Sequence, residues 1–157
     1  MSDHQPRPFT PAQERVGEAV VRVMSAANTW IFRASGGRLG SRFLHGAPVL
    51  LLTTVGARTG HRRTTPLIYL ADGQDLVIVA SKGGMSRHPA WYHNLMKNPA
   101  ARVQIGAESR TVHARQASDA EKAALWPRLL EIYPDYDDYQ ARTRREIPVV
   151  ILSPSAG

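Results

Sequence analysis

Apolar residues recur along this chain with two different periods, and the change from one to the other divides it. Val16, Val20, Val23, Ala27 and Trp30, with Ile31 beside it, follow one another at spacings of three and four. That period lays one apolar stripe along a helix of about five to six turns. Thr10-Pro11-Ala12-Gln13 supplies its start: a hydroxyl N-cap, a first-turn proline and a glutamine placed to close a capping box. Ser35-Gly36-Gly37 breaks it.

Beyond Pro48 the apolar residues form short dense runs bounded by Gly and Pro, as buried strands do. Strands are expected at 49–55, 64–70, 76–80, 101–105, 110–117 and 148–152. Asp72-Gly73 and Gly106 carry hairpin chemistry, and Pro66 puts the second strand at an edge or a bulge. Between the strands, Pro89 opens a short helix that Asn98-Pro99 ends. Ser118-Asp119-Ala120-Glu121 is a capping box for a helix through about Ile132, and Tyr133-Pro134-Asp135-Tyr136 turns into another carrying Tyr139. Antiparallel hairpins with interrupting helices describe an α+β chain, mainly β. The expected architecture is a small barrel of five or six mostly antiparallel strands, not a doubly wound sheet. The chain divides into a tail (1–10), an amphipathic helix with its connection (11–45) and a barrel (46–154), one domain overall.

Composition narrows the partners. A length of 157 residues suffices for one core without staples. With no cysteine there is no disulfide, thiolate metal site or Cys nucleophile. The net charge of +7 favours anionic partners, but no Lys/Arg-rich run marks a nucleic-acid tail. No apolar stretch reaches the roughly 20 residues that span a bilayer, and the first ten residues lack a signal-peptide core. A cytoplasmic protein is expected. Its amphipathic helix would pack on the domain, cover an active site, or lie against the inner face of a membrane.

Candidate chemistry gathers at strand ends. Gly56-Ala57-Arg58-Thr59-Gly60 sets a guanidinium and a hydroxyl on a tight turn, and Arg63 follows in the next strand. Glycines let backbone N–H groups approach an anion, and arginines grip phosphate or carboxylate through two bonds. Any β-turn favours glycine, so the plain reading is a solvated turn. Ala80-Ser81-Lys82-Gly83-Gly84 lacks the Walker spacing, yet it suits a planar ligand lying on a strand end. In Pro89-Ala90-Trp91-Tyr92-His93-Asn94-Leu95 the aromatics read as core or as a cofactor wall. His88 and His93 stand five apart without a nearby carboxylate, so no metal is expected. Tyr133, Tyr136 and Tyr139 are three of the chain's five tyrosines. They form either an apolar flap or a stacking surface with donors. No Gly-x-Ser-x-Gly, HExxH or GxGxxG motif is present.

In order and spacing these motifs resemble the deazaflavin-dependent nitroreductase family of actinobacteria. The resemblance covers about residues 45 to 154. It rests on Leu51-Leu52-Thr53-Thr54 before Gly56-x-x-Thr59-Gly60, on Pro66-Leu67, and on Ala80-Ser81-Lys82-Gly83-Gly84. Trp91-Tyr92-x-Asn94-Leu95, Tyr133-Pro134-x-Tyr136-x-x-Tyr139 and Ile147-Pro148 complete it. The resemblance implies a split β-barrel and coenzyme F420, a 5-deazaflavin with an anionic phosphate and oligoglutamate tail. It implies that Ala57, Arg58, Thr59 and Arg63 hold that tail. Thr64, Thr65, Pro66, Leu67, Ile68, Val79, Ala80, Ser81, Lys82, Ala90, Trp91, Tyr92, His93 and Asn94 would line the ring and linker. Tyr136 would close over it, with Ser81, Tyr133, Tyr136 and Tyr139 as the catalytic set on the acceptor side. The implied reaction is hydride transfer from the reduced deazaflavin to a quinone or nitroaromatic. FMN on a similar barrel and a non-catalytic deazaflavin carrier are the alternatives; a nucleic-acid partner ranks last.

Overall fold

The computed structural model describes residues 7–17 and 47–155. Most of the N-terminal stripe (Val20, Val23, Ala27, Trp30, Ile31), the Ser35-Gly36-Gly37 break and the first six residues of the tail lie outside those residues. The membrane contact expected of that helix rests largely on the same segment. Helix α1 (residues 11–17) opens on the expected capping box. The Gln13 N–H donates to Thr10 Oγ1 at 3.2 Å, and the Thr10 N–H donates to Gln13 Oε1 at 2.9 Å. Val16, the one stripe residue described, is 65 % exposed rather than packed. In this helix the Glu14 carboxylate accepts from Ser86, and Gly17 lies close against Met85.

Among the described residues seven strands form one antiparallel sheet: β1 (Val49–Val55), β2 (Arg62–Ile68), β3 (Leu70–Asp72), β4 (Asp75–Val79), β5 (Ala100–Ile105), β6 (Glu108–Gln116) and β7 (Val149–Pro154). Their order is β2-β1-β5-β6-β7-β4-β3. The strands at its two ends are joined by Tyr69 alone. In a flat sheet six inter-strand spacings would hold them about 29 Å apart. A two-residue step from Ile68 to Leu70 reaches only about 7 Å. The sheet therefore curls until its edges meet, giving the barrel that the hairpin pattern predicted. The count is seven instead of five or six because the single strand expected at 64–70 divides at Tyr69. There the chain leaves β1 and crosses to β4, and the Tyr69 N–H donates to Pro48 O at 3.2 Å. Pro66 sits on β2, which pairs with β1 on one side only, as its missing N–H requires.

Alternation along the strands separates two cores. Leu50, Leu52, Leu76, Ile78, Val103, Val112, Val150 and Leu152 fill the barrel, and α2 (Ala90–Lys97) adds Trp91 and Leu95. Val77, Val79, Val149 and Ile151 face outward under α3 (Asp119–Ile132) and α4 (Asp135–Arg142). Those helices contribute Leu125, Leu129 and Tyr136, with Tyr133 between them. The capping box of α3 is present in both directions: Glu121 N–H to Ser118 Oγ at 3.2 Å, and Ser118 N–H to Glu121 Oε1 at 3.1 Å.

Candidate functional site

The register gathers the predicted segments at one rim. Val55 pairs with Arg62, Thr53 with Arg102, Ala100 with His113, Gln116 with Val150, and Val79 with Val149. The end of β1 and the starts of β2, β5 and β7 therefore lie at the same end of the barrel as the ends of β4 and β6. On that rim stand the 56–60 turn, the 80–88 segment and α2; a bond from Tyr92 Oη to Gln116 Oε1 (2.7 Å) ties α2 to β6.

The 56–60 turn closes through Gly56 N–H to His61 O (2.7 Å) and Gly60 N–H to Gly56 O (2.9 Å), with Gly60 at φ +72°. The Thr59 hydroxyl accepts the His61 N–H at 3.3 Å. Asn94 on α2 accepts the Ala57 N–H on its Oδ1 (2.9 Å) and donates Nδ2 to Thr54 Oγ1 (3.1 Å). Lys97 Nζ donates to Ala57 O at 2.6 Å. Ala57 and Asn94, both among the residues the resemblance implies for the cofactor, are thus bonded to each other. Asn94 is buried, so its amide must be used inside the protein. What the turn presents outward is Arg58, Thr59, His61, Arg62 and Arg63, all exposed, with Lys97 beside them. No acidic residue occurs from 56 to 66.

Along β2 the predicted lining residues divide between two faces. Leu67 packs in the barrel core, with Arg63 and Thr65 on the same side of the strand. Thr64, Pro66 and Ile68 face the other way: the Thr64 hydroxyl meets that of Thr53 at 2.9 Å, and Ile68 packs against the tyrosine cluster. Ala80 and Trp91 also belong to the barrel core, Trp91 being 6 % exposed. Trp91 is thus a core residue in this structure, not an open wall. Tyr92 packs partly against the same core, while Ala90 and His93 are exposed at the rim.

The glycine-rich 80–84 segment and the tyrosines, read separately in the sequence, form one unit. Lys82 (φ +44°), Gly83 (+62°) and Gly84 (+79°) make three consecutive left-handed residues, and Lys82 is the one non-glycine with positive φ among the described residues. A β-carbon on Gly84 would lie 2.7 Å from Tyr139 O and 3.0 Å from its Cα. Arg142 Nη1 donates to Gly83 O at 3.2 Å, and the Arg142 guanidinium stacks on Phe9 at 4.3 Å. Tyr133, Tyr136 and Tyr139 meet ring to ring at 5.0, 6.0 and 6.4 Å, and the hydroxyls of Tyr133 and Tyr139 share a hydrogen bond of 2.9 Å. Burial pushes the Tyr133 and Tyr136 phenols well above their ordinary range; the Tyr139 hydroxyl bond adds to this for Tyr133. Both remain neutral across working pH.

Arg145, singled out by no motif, holds the 80–88 segment together. It donates to Met85 O (Nε, 2.8 Å), Ala80 O (Nη1, 3.1 Å) and Ser81 O (Nη2, 2.6 Å), and Nη1 lies 2.9 Å from His88 Nδ1. A guanidinium only donates, so His88 Nδ1 accepts and the ring is neutral. Desolvation, then Arg145 and His93, lower the His88 pKa below its ordinary 6.5. The unfolded chain therefore takes up this proton first as pH falls. Stability is fully present above about pH 6.5 and declines below it. The expected result is a melting temperature that drops between pH 7 and 5, with a smaller drop in His88→Asn. Equal pH slopes for the two proteins would refute it.

Comparison with known proteins places this geometry. The family model described as F420H(2)-dependent quinone reductase matches residues 24–154. An F420H(2)-dependent quinone reductase of Mycobacterium tuberculosis is 42% identical over 144 residues, covering 90% of this chain and 94% of that protein. The solved structure of an F420-H2 dependent reductase, FDR-A, superposes with a TM-score of 0.63 at 39% identity, over 68% of this chain and 94% of the other. A chain described as a domain-swapped dimer gives 0.64 at 33% identity, over 92% and 100%.

Proposed function

The chain belongs to the F420H(2)-dependent quinone reductase family, and on that premise we propose that it transfers a hydride from reduced coenzyme F420 to a quinone. The observation that carries the reading at the level of residues is the single rim. Exposed cations with no interspersed acid stand there beside a glycine turn packed on the backbone of Tyr139, whose ring meets the buried Tyr133 and Tyr136. A ligand with a polyanionic tail and a flat apolar ring fits that division of chemistry. An FMN-dependent reductase and a non-catalytic deazaflavin carrier are not favoured by the family match.

In this reading Arg58, Thr59 and Arg63 hold the anionic tail, with Lys97 adding charge beside Ala57. Ser81 and Lys82 would line the ring and Tyr139 its acceptor side, while Val79, Ile68 and Tyr136 pack in the core beneath α3 and α4. Bound there, the reduced deazaflavin supplies the hydride. The protein orients the two reactants and keeps water from them. The Ser81 hydroxyl and the Tyr139 phenol would donate to the oxygen that gains charge on reduction. Nitroaromatics are proposed as further acceptors for the same site.

Binding of oxidised F420, followed by tryptophan quenching with FMN as control, tests the assignment. Micromolar affinity for F420 and none for FMN is expected, followed by turnover of the reduced form with menadione. Preference for FMN, or binding of neither, would sink it. Arg58→Ala and Arg63→Ala are each expected to weaken F420 binding by about ten- to a hundredfold, since a charge-assisted bond is worth roughly 1.5–3 kcal/mol. Raising the salt should narrow the difference from wild type.

A further inference from the structure

We propose that Arg145 is a positioning residue for this site: its guanidinium sets the peptide planes of the Ala80–Met85 segment and so aims Ser81 and Lys82. The inference rests on the hydride-transfer reading above and deepens it.

Its acceptors lie along nine residues, from Ala80 at the end of β4 to His88 just before α2. Arg145 itself lies between α4 and β7, some 57 to 65 residues away in sequence. One planar fork thus ties the β4–α2 and α4–β7 connections of the rim together. The peptide group is planar and trans, so C=O and the following N–H point in opposite directions. Fixing Ala80 O on Nη1 and Ser81 O on Nη2 therefore fixes the directions of the Ser81 and Lys82 N–H groups. Both are turned away from the guanidinium. The Ser81 side chain follows the same backbone.

The segment needs such a hold. Lys82 adopts φ +44°, a conformation disfavoured for a side-chain-bearing residue, and two positive-φ glycines follow. Within it, the Gly84 N–H donates to Ser81 O at 2.9 Å and the Met85 N–H to Lys82 O at 3.1 Å. Arg142 adds its bond to Gly83 O. The carbonyls of Ala80, Ser81 and Met85 all go to Arg145. A lysine ammonium is a single point with three donors and cannot span this set of acceptors; the fork can.

Arg145→Lys and Arg145→Ala test the role by amide hydrogen exchange, F420 affinity and steady-state kinetics. In the cofactor-free variants exchange is expected to rise about tenfold or more at residues 81–88, with the β1–β5–β6 amides unchanged. With F420H2 and menadione, kcat should fall about tenfold or more in both variants, and the apparent menadione KM much less. Millimolar guanidinium ion should restore part of the kcat of Arg145→Ala and leave wild type unaffected. A stabilising role alone would loosen exchange throughout the sheet and show no such rescue. If Arg145→Ala does not fold, Arg145→Lys carries the exchange and kinetic arms. Wild-type exchange at 81–88 together with wild-type kcat in Arg145→Lys overturns the proposal while the hydride-transfer reading stands. Wild-type protein that neither binds nor oxidises F420H2 removes that reading, and the positioning role with it.

Discussion

Gly84→Ala is expected to destabilise the protein by about 3 kcal/mol and to lower its melting temperature by roughly 6–12 °C. Two terms add. The residue sits at φ +79°, where an L side chain costs about 1–2 kcal/mol. Its new methyl would stand 2.7 Å from Tyr139 O and 3.0 Å from Tyr139 Cα, against backbone that cannot rotate away. Overpacking of this kind costs about 1–3 kcal/mol. Gly83→Ala separates the terms, because Gly83 has φ +62° but nothing within 4 Å of its β-carbon position. It should lose only the conformational part. Thermal unfolding of the two variants gives the difference, which measures the Tyr139 contact. Turnover should also fall more in Gly84→Ala, since the clash is relieved by pushing Tyr139 and α4 away from the 80–84 segment. Equal losses at the two positions would contradict this account of the seat beneath the tyrosines.

Asn94→Ala is expected to cost about 2–4 kcal/mol and to weaken F420 binding at least as much as loss of Arg58 does. Its amide bridges Thr54 Oγ1 and the Ala57 N–H, and both Asn94 and Thr54 are buried. Truncation leaves two polar groups without partners, at about 1–3 kcal/mol each when water cannot reach them. The turn bearing Arg58 then loses its anchor on α2. Lys97→Met is the contrasting case. Its bond to Ala57 O is shorter at 2.6 Å, but it is exposed, and water replaces the donor. It should change stability by no more than about 0.5 kcal/mol. Urea unfolding compares the two directly; a larger loss in Lys97→Met would invert the argument.

Much of this could be read from the chain because it is locally encoded. The α3 capping box needs only Ser118 and Glu121, three residues apart, and the hairpins need Asp72-Gly73 and Gly106, whose glycines stand at positive φ. Dense apolar runs gave the strands to within about two residues. The motifs of the rim were visible as residue types: cations at 58 and 63, glycines at 83 and 84, tyrosines at 133, 136 and 139. Their order in one chain was enough to point to the family that the comparisons show.

Which of those residues face a ligand and which brace the fold is a different kind of information. Periodicity describes a residue's face on its own element and nothing about the group across from it. Trp91 and Asn94 sit in one motif, yet one fills the barrel and the other satisfies a turn some 37 residues earlier. Arg145 has no local signature, because its acceptors lie about 60 residues away. Tyr69 became a corner, not mid-strand, because the sheet closes there. The sequence by itself determined the elements, their caps and the chemistry carried to the rim, all set by neighbours within a few residues. The tertiary structure decided the closure at Tyr69, the split of β2 between two cores, and the seating of Tyr139 on Gly84. Each of those depends on buried polar groups and packing surfaces finding partners far along the chain.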